Sequence, residues 1–458
     1  MTLTASQAEW LRVRSYLQEH RYALAVDAGG AYPAERRMAG TPLLAAPEWQ
    51  PVEPVPLPDI ELDFSATADP RGTPHTRGTP PRTPGPGLPE RPDGTRYRSY
   101  SDVLRDLAAP AVFENRPTYR LTEADLTKPR LAFTRGRYFD GVDTGEAAAH
   151  EYAATRLGHP PADARARIAD PCDLTRRPAN LAITTLTLRF DAATGRASFL
   201  MHWRDPAKVG HAGGMYQVIP VGVFQPSGDA SWHEREDFSL WRCMLREFDE
   251  ELRGTPEEYG AGPVDYQSWP FARHMAAALD RGQIRVWCLG LGVDPLTYAT
   301  DLLTVAVIDS RVFDELFRLY PRGNDEGSVL AAREFAAHVI DRVVTRDPVQ
   351  AAGAAVLRLA WRHRDSLTVL PRRRPQTADH ADRCPPSGSG RRRSSLFICG
   401  SAVTMAGAGI ARRRPRAWRI RGRPPRPRGS SPRGCRSGRC CGPCPRRPRR
   451  SRSRCTPS

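Results

Sequence analysis

The apolar periodicity that lets a chain build a core runs through this sequence only as far as His363, and the residues beyond it make a different kind of polymer. From Ser366 to Ser458 there are 25 Arg, no Lys, no Glu and 2 Asp, set among Pro, Gly, Ser and Cys. Such a segment cannot offset its ordering entropy by burial, so residues 366–458 are expected to be disordered. The break also redistributes the charge. The tail carries a net +23, so of the total of +17 the rest of the chain holds −6. Nucleic-acid binding by counterion release would therefore have to use the tail. That tail has Trp418 and almost no other aromatic for base stacking. Its abrupt onset suggests read-through or frame-shifted coding.

Cysteine divides at the same place. Seven of the 10 lie in the tail, and the body keeps only Cys172, Cys243 and Cys288, widely spaced, as expected of a reduced cytoplasmic protein. Cys441-Gly442-Pro443-Cys444 spells a redox motif, but it lacks the strand and helix that would lower a thiol pKa. The N-terminus has no basic region followed by an apolar one, so no secretory signal is expected. The longest apolar run, Leu396 to Ile410, is rich in Gly and Ala and short of the ~20 residues that span a bilayer. No membrane partner is expected, and the oligomeric state stays open. Lys appears only at 128 and 208, with Arg in its place, as in a GC-rich genome.

Within the body, Ala5 to Ala28 repeats at helical period through Trp10, Leu11, Val13, Tyr16, Leu17 and Leu24. Residues 1–64 are expected to form an N-terminal helical accessory segment. Residues 65–97 are dense in Pro, Gly, Thr and Arg and read as a flexible linker. A further accessory region spans 98–169, with a short helix near Val103, Leu104 and Leu107. The main domain is expected over 170–365. There Leu186, Leu188 and Phe190 alternate, Asp191–Gly195 turns, and Phe199, Met201 and Trp203 alternate again, a hairpin pattern. Met215–Phe224 reads as a third strand. Further strands are expected at Ile284–Leu289 and Leu302–Ile308. Helices are expected around Phe271–Leu279 and over Arg311–Tyr320, Val329–Val344 and Pro348–His363. This mixture predicts an α/β (α+β) fold.

One helix in it carries chemistry. Asp237 or Ser239 can cap its start, and Leu240, Trp241, Met244, Leu245, Phe248 and Leu252 share one face. Glu247, Glu250 and Glu251 stand at i, i+3 and i+4 beside that face, where like charges repel. A helix that only needed solubility would interleave Arg there. Convergent carboxylates suit a hard divalent cation such as Mg²⁺, with a glutamate as general base. The competing account is an amphipathic helix with a wet, acidic side.

Arg246-Glu247-Phe248-Asp249-Glu250-Glu251 resembles the heart of the Nudix box. The resemblance implies a Nudix-like mixed sheet between helices. It also implies a Mg- (or Mn-) dependent hydrolase of a nucleoside diphosphate linked to another moiety, so a nucleotide-like small molecule is the expected partner. It makes Glu250 and Glu251 metal ligands, Glu247 a ligand or base, and Arg246 a structural ion pair holding the carboxylates. Upstream the pattern departs: eleven residues separate Glu234 from Arg246 where the family has seven. Gly222, in Val221-Gly222-Val223-Phe224, fits the loop position at the strand exit. Glu326, in Asn324-Asp325-Glu326-Gly327, is a further catalytic candidate, or simply part of a turn. Segments such as Ile219–Pro226 and Leu289–Pro295 also look like a family of uncharacterised actinobacterial proteins, some labelled transcriptional regulators. Two other functions stay open: a non-catalytic nucleotide-sensing or transcriptional regulatory protein, and nucleic-acid binding through the Arg-rich tail. Asp143, Glu146 and His150 have a spacing that could bind a metal, though an N-cap followed by a surface pair explains them more simply.

Overall fold

The computed structural model describes residues 3–65, 87–110, 113–205, 213–255, 262–317 and 327–368. The Pro-rich run at 66–86, Lys208, Glu326 with Asn324 and Asp325, and the tail with Cys441 and Cys444 lie outside the described residues.

The N-terminal periodicity gives α1 (Ala5–Gly30). Its start is fixed by a reciprocal capping box, in which Gln7 N–H donates to Thr4 Oγ1 and Thr4 N–H donates to Gln7 Oε1. The chain continues through β1 (Val55–Pro56), β2 (Glu61–Ser65), α2 (Tyr100–Leu107), β3 (Pro117–Asp125), β4 (Arg130–Arg137) and α3 (Tyr138–Gly141). A π-helical turn, Val142–Glu146, leads into α4 (Ala147–Arg156), followed by α5 (Ala164–Ile168). Then come β5 (Leu181–Asp191), β6 (Arg196–Phe199), β7 (Met201–Arg204), β8 (Tyr216–Val218) and β9 (Val221–Val223). Next are the helices α6 (Ser231–Glu236), α7 (Leu240–Arg253) and α8 (Pro270–Asp280). The order ends with β10 (Ile284–Val293), β11 (Thr300–Asp309), α9 (Ser310–Leu316), β12 (Gly327–Val329), β13 (Arg333–Glu334), α10 (Ala337–Arg346), α11 (Ala351–Arg362) and α12 (Arg364–Thr368).

The main sheet runs β1–β10–β11–β5–β6–β13, with β9 also on β5. Its β11–β5 pair is parallel and its other pairs are antiparallel. β5 is long enough to take β9 along Ala182–Thr184 and β6 along Leu188–Asp191. Both faces of the sheet are covered. On one, Leu186, Leu188, Leu303, Val305 and Val307 meet Ala355, Val356 and Leu357 of α11. On the other, Ile183, Leu302, Ala306 and Ile308 pack with Met244, Phe248 and Leu252 of α7 and Met275 of α8. Each of the Leu, Ile, Val, Met and Phe side chains among them stabilises the fold by about 1.5–3 kcal/mol on full burial. Coverage on both sides explains why β11 reads as a nearly unbroken apolar run. The expected α+β class, a mixed sheet between helices, is what the chain forms.

Several sequence expectations are redrawn. The second hairpin strand splits at Leu200: β6 stays in the main sheet, while β7 joins β8 and β12 in a separate one. The expected third strand divides in the same way at Ile219-Pro220, because Pro220 offers no N–H to carry a ladder onward. Residues 329–334, expected as helix, hold the last residue of β12 and all of β13, and the helix begins only at Ala337. The segment read as N-terminal and accessory supplies β1 to the edge of the main sheet and β2 to a β2–β4–β3 sheet. Among the described residues no helix is long and apolar enough to cross a membrane.

Candidate functional site

The acidic helix α7 forms where its pattern placed it. Ser239 caps it, its Oγ accepting from Arg242 N–H, and Gly254 ends it in the left-handed region at φ 72°. Its apolar stripe is buried, which turns the neighbouring arc toward β9, a strand that pairs with β5.

A series of contacts links α7 to β9. Cys243 Sγ lies 3.5 Å from the Val223 carbonyl. Glu251, only 6% exposed, accepts the Val221 N–H on Oε1 at 3.1 Å. The Glu247 carboxyl occupies the space over Gly222: a Cβ built there would stand 1.8 Å from Glu247 Cδ. Gly222, expected in a loop, is thus the middle residue of a strand, and its missing side chain makes room for a carboxylate. Glu250 is half-buried. The structure therefore sets Glu247 and Glu251, one helical turn apart, against the same two residues of backbone.

Arg246 takes a different partner from the one expected. Its buried guanidinium is 3.2 Å from Asp237. Nη1 donates to Tyr266 Oη at 2.6 Å, and Nη2 donates to the Gln225 carbonyl at 2.6 Å. Tyr266 Oη in turn donates to Asp237 Oδ1 at 2.8 Å. The other carboxylate oxygen, Oδ2, accepts from Ser227 N–H at 2.8 Å and Ser227 Oγ at 2.6 Å. Burial would raise the Asp237 pKa, but Arg246 and the donors from Ser227 and Tyr266 outweigh it and hold the carboxyl below its ordinary value.

Ser227, His233 and Asp237 invite a nucleophile reading that the hydrogen bonds exclude. Ser227 Oγ gives its one proton to Asp237, so His233 Nδ1, 2.9 Å away, must itself be the donor to that oxygen. A histidine protonated on that nitrogen cannot take the serine proton there. Cys243 is no nucleophile either, since burial pushes its thiol up to about 12.

Spacing in the sequence could not show these partners. The one signal was the departure itself, the extra residues between Glu234 and Arg246, which hold the end of α6 and Asp237. The other candidates are structural in their surroundings. Glu146 is buried against Arg14 and Arg21, His150 Nδ1 lies 3.2 Å from Tyr100 Oη, and Asp143 accepts from Ser101 N–H and Oγ.

Among the described residues no three His, Cys, Asp or Glu side chains converge closely enough to hold an ion by themselves. Glu247 and Glu251 nonetheless fit a magnesium-type cation in donor chemistry. They are hard oxygen donors, and such a cation commonly takes one or two protein carboxylates and completes its shell with water and substrate phosphate.

No family model matches the chain, and no curated protein does. Among solved structures it is similar to a NUDIX hydrolase from Alicyclobacillus acidocaldarius, at 17% identity over 39% of this chain and 89% of that one, with a TM-score of 0.22. With a score that low, the weight rests on the residues of α7 and β9. The resemblance to actinobacterial proteins has no counterpart among these matches.

Proposed function

We propose that the chain is a Nudix-like, magnesium-dependent hydrolase of a nucleoside diphosphate linked to another moiety. The observation that carries this reading is the seating of Glu247 and Glu251 on Val221 and Gly222, within the sequence Arg246–Glu251. Bound there, Mg²⁺ or Mn²⁺ would supply charge neutralisation at the diphosphate and a more acidic water. The protein's own part is positional. The Val221 N–H fixes one oxygen of Glu251, so that carboxylate keeps one orientation. Glu247 is half-buried and can accept a proton from water on a carboxylate oxygen, as a general base must. Glu250 extends the same acidic arc. Arg246, spent on Asp237, Tyr266 and Gln225, is structural. Glu326 remains a catalytic candidate from the sequence.

Turnover of a panel of nucleotide sugars, dinucleotides and nucleoside triphosphates tests the reading. Glu247→Gln and Glu251→Gln should each lower kcat about a hundredfold, the lower end of what a general base contributes. Undiminished turnover in both variants, or none in the wild type with any substrate, sinks it.

Gly222→Ala makes a sharper test of the seating. Its methyl would meet the tip of a flexible side chain, so the fold should lose about 1 kcal/mol or less. The Glu247 carboxylate, however, must leave its place. Turnover should fall about tenfold or more while the thermal midpoint stays within a few degrees. Wild-type turnover in Gly222→Ala would show that the carboxylate's place over β9 does not matter.

A further inference from the structure

We propose that Asp237 is a positioning residue: through Tyr266 and Arg246 it fixes where α7 lies along β9, and so where the Glu247 and Glu251 carboxylates stand. The inference rests on the hydrolase reading for its purpose, but not for its geometry.

Asp237 lies two residues before the N-cap of α7, and Tyr266 lies beyond its C-cap. Arg246, between them on the helix, touches both and also the Gln225 carbonyl just after β9. One buried knot therefore ties the strand exit, the start of the helix and the segment after it. Glu247 follows Arg246 directly in the chain, and Glu251 lies one turn further on. A small slide or rotation of α7 would break the Glu251–Val221 bond and lift Glu247 off Gly222 together. Charge-assisted bonds between buried groups, as in the chain from Arg246 through Tyr266 to Asp237, are strong enough and short enough to resist that slide. The Ser227 arm of Asp237 anchors a different part, the loop between β9 and α6. His233 closes that arm by packing over Gly228, where a Cβ would stand 2.8 Å from its Nε2. The two oxygens of one carboxylate thus serve two tasks, and substitutions can separate them.

The reporter is the Val221 amide, which donates to Glu251 Oε1. Its hydrogen exchange can be followed in the full-length protein labelled with ¹⁵N-valine, with Val305 and Val307 of β11 as internal controls. Tyr266→Phe keeps the ring and removes only the hydroxyl. It should speed exchange at Val221 about fivefold or more and leave Val305 and Val307 unchanged, and Asp237→Asn should do the same. Ser227→Ala, which removes the hydroxyl bond of the loop arm and leaves the Tyr266 and Arg246 side untouched, should leave Val221 near its wild-type rate. The proposal is overturned if Val221 in Tyr266→Phe exchanges within about twofold of wild type. It is equally overturned if all three valines accelerate together, since that would be a general loss of stability. Should Asp237→Asn fail to fold, Tyr266→Phe decides alone. The measurement needs neither metal nor substrate, so it stands apart from the turnover assay on which the hydrolase reading depends.

Discussion

Glu146→Gln should cost the fold about 3–5 kcal/mol, read as a shift in the denaturant midpoint. Glu146 is 6% exposed and faces two arginines of α1, Arg14 and Arg21, which are 3% and 4% exposed. Arg21 grips it with two bonds, Nη1 to Oε1 at 2.9 Å and Nη2 to Oε2 at 2.8 Å, and Arg14 Nη1 donates to Oε2 as well. No charge on His150 adds to the group, because burial and the nearby Arg14 push its imidazole down to about 3. Among these three side chains, two guanidiniums share one carboxylate. Removing the carboxylate leaves two buried guanidiniums facing a neutral amide, and an uncompensated buried charge is among the costliest defects a fold can hold.

The same physics predicts a contrast. Replacing all three residues with methionine removes the charges along with their partner, and buried ion clusters exchanged for apolar groups of similar volume are often neutral or stabilising. The triple variant should lie within about 1–2 kcal/mol of wild type. A Glu146→Gln protein that unfolds within about 1 kcal/mol of wild type would mean that water reaches the arginines and that α1 is held by its apolar contacts alone.

This cluster also shows where sequence reading ran out. Periodicity placed α1, α7, α8, α11, β10 and β11, because each shows one repeating apolar pattern over enough residues to be unambiguous. The spacing of Glu146 and His150 was visible too, but their partners Arg14 and Tyr100 are 132 and 50 residues away in the chain. The candidate site divides along the same line. The carboxylate spacing on α7 is local and was legible. That Gly222 is a strand residue making room for Glu247, and that Arg246 belongs to Asp237 and Tyr266, depends on which segments the sheet brings together. The N-terminal sheet was missed although Leu131 and Phe133 alternate, because short alternations in a polar context compete with turn and linker signals. Residues 329–334 read as helix because their few apolar positions fit either period.

Asp301→Asn should stabilise the protein at pH 8 and do little at pH 4. Asp301 is buried on β11, and its Oδ1 accepts from Thr184 Oγ1 on the neighbouring β5 at 2.7 Å. Among the described residues no basic side chain lies within ion-pair reach of it. Burial, reinforced by the charge of Asp294 and opposed by the Thr184 bond, pushes its carboxyl up from 3.8 to about 7. The folded state thus holds a proton that the unfolded chain has already released. Stability is unaffected by this group below about pH 4. It falls as pH rises from there toward 7, and levels off once the folded state has also lost the proton. Asparagine keeps an acceptor oxygen for Thr184 and cannot ionise, so it should recover what the aspartate loses. A shift of this size corresponds to at most about 4 kcal/mol at pH 8, and solvent relaxation around an ionised Asp301 will reduce it. Thermal or denaturant melts of both proteins across pH 4 to 8 should therefore diverge steadily, with Asp301→Asn ahead by more than about 1 kcal/mol at the upper end. Parallel curves would mean that Asp301 ionises as readily inside the sheet as outside it, which is incompatible with a carboxyl shut between β5 and β11 on a single threonine hydroxyl.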